Sequence, residues 1–179
     1  ITLSESGSGS LTGTTTVTAS NGVATFSGVK YTSASDADAN FVLTAAAGSL
    51  VSATSASINP DVVATRLVFS TQPVPIAIQS GQSTSFTTVP VVQSVDANGM
   101  VDQDYSTNIV ISVTDPNDGT VDGTVNSFTV TSGDQDASST TVTLTPSGGI
   151  ATYSGLVIMY TNSGSTNTIL TLAIFTYFT

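Results

Sequence analysis

Twelve acidic side chains are the residues of this 179-residue sequence whose type and spacing suggest chemistry. Three pairs have the Asp-x-Asp spacing: Asp36/Asp38, Asp102/Asp104 and Asp134/Asp136. On an extended strand both carboxylates of such a pair point to one face, because side chains alternate along a strand. On a loop the two can share a cation, and calcium suits such places because it binds several hard oxygens at once. The densest set is Asp96 and Asn98 in one turn with Asp102 and Asp104 just beyond it, which makes these four the candidate calcium ligands. A second set is Asp115, Asn117, Asp118 and Asp122. Neither follows the EF-hand loop, which needs a central Gly and a terminal Glu. The competing reading is that Asp and Asn occupy turns because their side chains bond nearby backbone amides. A glycosidase pair would need two carboxylates facing each other across a sugar cleft. Glu5 is the one Glu, it lies in a Gly/Ser-rich stretch, and the chain has no Trp to stack on a sugar.

Composition narrows the field further. With no His and no Cys, a Ser-His-Asp triad, a Cys nucleophile, a thiolate or imidazole metal site and a disulfide frame are all excluded. Two basic residues and a formal charge of −10 cannot neutralise a row of phosphates, so neither nucleic acid nor an anionic membrane surface is an expected partner. Lys30 is expected to be a solvated lysine at a strand end, and Arg66 to pair with an acid near residues 59–64. No enzyme is expected.

The elements that must position these residues are strands. Hydrophobic residues make up 39% of the chain and mean hydropathy is +0.28, enough to build a core. Charged residues make up only 8%, and Ser and Thr, about a third of the sequence, supply the polar surface instead. Branched Thr and Val fit a pleated surface. No segment has sustained helical periodicity, and no apolar run is long enough to cross a membrane as a helix.

The sequence repeats internally. Thr14–Thr18, Asn21-Gly22 and Val23-Ala24-Thr25-Phe26-Ser27-Gly28 recur 127 positions on as Thr141–Thr145, Gly148-Gly149 and Ile150-Ala151-Thr152-Tyr153-Ser154-Gly155. The same shift carries Leu43-Thr44 onto Leu170-Thr171, whereas Ile1–Ser4 matches Ile111–Thr114 at a shift of 110. The difference, 127 − 110 = 17 residues, is expected to be an extra hairpin within Val121–Ala137. Asn21-Gly22 and Gly148-Gly149 both suit a type I′ turn, which requires positive φ at two successive residues. The expected organisation is residues 1–59 as the later part of a first repeat, 60–64 as linker, and 65–179 as a second repeat. Nothing in the first copy matches residues 65–105, so the first repeat is expected to be incomplete at its N-terminal side. Either the chain is a piece of a longer array, or a neighbour supplies the strands.

Leu67-Val68-Phe69-Ser70-Thr71-Gln72-Pro73, then Phe86-Thr87-Thr88 and Val95-Asp96-Ala97-Asn98-Gly99, resemble the opening half of bacterial immunoglobulin-like tandem repeats. The closing half of that pattern is matched by Asn21–Gly28 and by Gly149–Gly155. The resemblance implies an all-β fold of tandem immunoglobulin-like, Greek-key β-sandwiches in a large extracellular or cell-surface protein of bacteria. Such modules serve as stalks, fibres or filaments, and here exchange of strands between subunits would complete the first repeat. The partners implied are neighbouring repeats or identical subunits. The alternative is an adhesive module that recognises a glycan or host protein through its end loops, with Val121–Ala137 as its site. A calcium-stiffened spacer is the third reading.

Overall fold

The computed structural model describes residues 1–36, 40–74, 78–114, 123–136, 138–162 and 171–176, with residue 114 and residues 171–176 described by their backbone alone. Among these residues every regular element is a strand and every strand pair is antiparallel. The chain is all-β, built of several small sheets, and it divides into two compact units, Ile1–Val63 and Ala64–Thr179.

The first unit holds β1 (Thr2–Glu5), β2 (Ser10–Thr12), β3 (Lys30–Thr32), β4 (Leu43–Ala46) and β5 (Ala53–Thr54). β4 lies between β1 and β5, and β2 pairs with β3. Little is buried here: Phe41 and Val62 are the buried hydrophobic residues among those described. The Tyr31 ring stacks on Phe41 with centroids 4.0 Å apart.

The second unit holds β6 (Arg66–Thr71), β7 (Ser83–Ser85), β8 (Val91–Val95), β9 (Ile109–Thr114), β10 (Gly123–Thr129), β11 (Thr141–Leu144), β12 (Ile150–Thr152), β13 (Val157–Asn162) and β14 (Thr171–Thr176). Its sheets run β11-β9-β14, β10-β13-β7 and β12-β8-β6. Alternate residues of these strands converge on one core. Ile109, Ile111 and Val142 come from the first sheet, Phe128 and Ile158 from the second, and Val92 and Ala151 from the third. Tyr153 is fully buried among them and donates its hydroxyl to the Ile109 carbonyl at 2.9 Å. Burial pushes the Tyr153 phenol well above its usual pKa, with the Asp134 charge adding to the shift.

The internal repeat is reproduced in backbone geometry. β1 pairs β4 with Thr2, Leu3 and Ser4 opposite Ala46, Ala45 and Thr44. β9 pairs β14 with Ser112, Val113 and Thr114 opposite Ala173, Leu172 and Thr171, the register that the two sequence shifts require. The hairpin turn recurs as well, since Ser20 and Val23 bond each other twice and so do Ser147 and Ile150. Asn21 and Gly22 have φ of 51° and 81°, and Gly148 and Gly149 have 59° and 70°. Gly28 and Gly155, at φ 67° and 65°, end both copies of the motif alike.

One difference corrects the reading of the 17 extra residues. No hairpin folds on itself between 123 and 136; β10 is a single strand that pairs with β13. It has a counterpart in the first unit, because Leu11 of β2 faces Tyr31 as Phe128 of β10 faces Ile158. Phe128 stands 117 positions after Leu11, so the extra residues split into about seven before β10 and about ten after it. Gly13 alone joins β2 to Thr14, at φ 91°, and a Cβ there would meet the Gly28 carbonyl oxygen at 2.2 Å. The second unit spans the same step with residues 130–140, Asp134 and Asp136 among them.

Candidate functional site

The four candidate calcium ligands do not converge. β8 ends at Val95, and the chain turns through Asp96–Gly99, where Gly99 has φ 89° and its N–H donates to the Asp96 carbonyl. The Asp96 carboxylate is consumed by this turn. Its Oδ1 accepts the amides of Asn98 and Met100, both at 2.8 Å, and its Oδ2 accepts Asn98 Nδ2 at 3.0 Å. These bonds, the Met100 amide foremost, hold the Asp96 carboxyl below its ordinary pKa. Asp96 and Asn98 thus close on each other and on backbone.

Asp102 lies apart from that pair. It is buried, its Oδ2 accepts the Ala64 amide at 2.7 Å, and its Oδ1 is buried with no hydrogen-bond partner. Asp104 is exposed and brings a carboxylate oxygen within 4.8 Å of one from Asp102.

What the Asp102 loop does is clamp the repeat's turn. The Asp102 amide donates to the Ser94 carbonyl, and the Ser94 amide donates to the Gly149 carbonyl. The fully buried Ser94 hydroxyl donates to the carbonyls of Gly149 and Asp102 at 3.1 and 3.4 Å. Gly149 is required twice over, by its positive φ and because a Cβ would sit 2.0 Å from the Asp102 carbonyl oxygen. Spacing in the sequence pointed to Asp102 but gave no sign of Ser94, whose role depends on a contact across 55 residues.

The other acids also serve as backbone acceptors. Asp134 Oδ1 accepts the amides of Thr143 and Asp136, and Asp136 accepts the hydroxyls of Thr141 and Thr143 and the amide of Ser138. The Asp134/Asp136 pair therefore straps the longer connection of the second unit onto β11. Asp36 Oδ1 accepts the Val62 amide at 2.8 Å. Asp38, Asp115, Asn117, Asp118 and Asp122 lie outside the described residues. Lys30 opens β3 and is exposed, as expected. Arg66 opens β6 and makes no ion pair among the described residues; its guanidinium lies over the Gly99 turn instead.

The two units differ most at one strand edge. In the second unit β12 lies against β8, with Ile150, Ala151 and Thr152 opposite Gln93, Val92 and Val91. The Tyr153 amide extends that ladder to the Pro90 carbonyl. The corresponding segment of the first unit, Val23–Phe26, has no strand against it among the described residues. Among the described residues, the backbones of Ala24, Thr25 and Phe26 make no hydrogen bonds. Ala24 and Phe26 are only half-buried, whereas Ala151 and Tyr153, which hold their places in the second unit, are 2% and 0% exposed. The signal was in the sequence, since residues 65–105 have no match in the first copy.

No family model, no curated protein and no solved structure matches this chain.

Proposed function

We propose that this chain is a non-enzymatic structural repeat module of a bacterial extracellular or cell-surface protein, made of immunoglobulin-like β-sandwiches and used in a stalk, fibre or filament. The observation that carries the reading is the repeat itself. One set of strands, turn and glycines recurs in both units in the same register, and in one unit it leaves backbone groups open to pairing. Unpaired strand edges are templates for another chain, and a contact between unlike surfaces propagates into open fibres. The acidic clusters support the same reading, because among the described residues Asp96, Asp134 and Asp136 are engaged by local amides and hydroxyls. A chain without His or Cys, with 8% charged residues and a Thr/Ser surface, suits load-bearing more than catalysis.

Electron microscopy of the purified chain tests this. Ordered elongated assemblies are the expected outcome. Dispersed particles that bind a glycan or a host protein, and that lose the ligand when residues 121–137 are deleted, would favour the adhesive module instead.

A further inference from the structure

We infer that the Val23–Phe26 edge of the first unit is an acceptor for an extended strand of the β8 type, Pro90–Val95, supplied from outside residues 1–179. The second unit shows which strand fits this backbone, because there the same repeat segment carries β8. Moving that pairing back by 127 positions places the donor's Gln93, Val92 and Val91 opposite Val23, Ala24 and Thr25. Two further bonds follow from the bonds of the second unit. The Phe26 amide donates to the donor's Pro90 carbonyl, and the donor's Ser94 amide donates to the Gly22 carbonyl.

The side chains agree with this register. In the second unit Val92 and Ala151 face each other and are 0% and 2% exposed. Ala24 and Phe26 stand where Ala151 and Tyr153 do, and they are only half-buried. A valine set opposite Ala24 would cover them. Residues 21–28 carry no charge, and neither do Pro90–Val95, so no ion has to be desolvated when the strands meet. Main-chain bonds supply the affinity in such an addition, and alternate side chains supply the selection.

The occupant is not a folded second copy of this chain. In the folded chain β8 is hydrogen-bonded on both sides, to β6 and to β12, and cannot be lent out. The donor is a β6–β8 segment of the repeat that is not already paired to a β9–β14 half. This inference rests on the structural-repeat reading for the nature of the donor, but the acceptor edge is tested separately from it.

The probe is a synthetic peptide of residues 88–97 added to the chain of residues 1–179, read by hydrogen exchange at single amides. The Phe26 amide should slow by at least about tenfold with the peptide present, while amides of the second unit stay unchanged. A peptide N-methylated at Ser94 loses the bond to Gly22 and should protect weakly. Ala24→Pro, which removes the amide that would bond the donor's Val92, should abolish protection and leave the exchange of the second unit as it was. Equal protection by a scrambled peptide, or none at saturating peptide, overturns the inference. So does concentration-dependent protection of Phe26 without peptide, which would mean that two first units pair edge to edge. Peptide protection without ordered assemblies by microscopy would sink the fibre reading and leave the acceptor edge standing. Assemblies that still form with Ala24→Pro would do the reverse.

Discussion

In the second unit Ile150–Tyr153 lies against β8, and Ala151 and Tyr153 vanish from the surface; in the first, Val23–Phe26 has the same turn before it and the same glycine after it, yet among the described residues no strand lies beside it. The two differ in their neighbours far more than in themselves. A backbone motif of turn, short strand and positive-φ glycine forms in both, so local sequence is enough to set it. Burial is different, because it requires a second layer. Phe86, Val92 and Val95 come from the part of the repeat that the first unit lacks, and with them the second unit assembles a core of a dozen buried side chains. The first unit manages a stacked Tyr31–Phe41 pair and leaves Val23, Leu50, Val51 and Val63 mostly exposed.

Matched substitutions in the two copies sharpen this contrast. The largest effect belongs to the core. Phe128→Ala should cost the second unit about 3–5 kcal/mol. Its counterpart Leu11→Ala, in a half-buried strand, should cost the first about 1 kcal/mol by lost apolar burial. Calorimetry of the full chain reads both, and equal losses would erase the contrast. Next come the turn glycines. Gly149→Ala adds a clash with the Asp102 carbonyl to an unfavourable φ and should cost about 2–4 kcal/mol. Gly22→Ala has open space around it and should cost about 1 kcal/mol, from backbone conformation alone. A smaller step is Tyr153→Phe, which leaves the buried Ile109 carbonyl without its donor and should cost about 1–2 kcal/mol in chemical denaturation. The reverse exchange, Phe26→Tyr, should leave the first unit's midpoint where it was.

The smallest effect is electrostatic. Partial burial raises the Asp136 pKa, but bonds from Thr143, Ser138 and Thr141 outweigh it and hold the carboxyl below 3.8. A carboxyl lowered in the folded state stabilises fully above its unfolded pKa, and that contribution is lost as pH falls through the folded value. Denaturation midpoints of the second unit should therefore drop below about pH 4, and Asp136→Asn should flatten that drop. An unchanged acid slope in the variant would show that the strap does not contribute. The first unit has no equivalent, since Gly13 makes the same connection in one residue.

Sequence alone revealed what adjacent residues determine. Asn21-Gly22 announces its turn because two successive positive φ angles leave few residues to choose from. Arg66–Thr71 reads as a strand and forms one. The repeat was legible because each matched stretch runs without a gap, and the registers of β4 on β1 and of β14 on β9 agree with its two shifts. What could not be read is pairing across distance. β10 looked like half of a local hairpin because its partner β13 begins nearly thirty residues after it ends. β2, three residues in a Gly/Ser-rich stretch, gave no period to detect. The acid clusters were visible, but spacing does not say whether a carboxylate meets a cation or the amide two residues on. Asp96 met the amide.

The two basic residues carry one last consequence. Lys30 and Arg66 are the chain's entire supply of trypsin-type cleavage points. Lys30 stands opposite Thr12 in β3, and Arg66 stands opposite Val95 in β6, so both scissile bonds begin inside paired strands. Proteases need an extended, unpaired segment to thread through their cleft. The folded chain presents none at either point, and digestion must wait for a sheet to open.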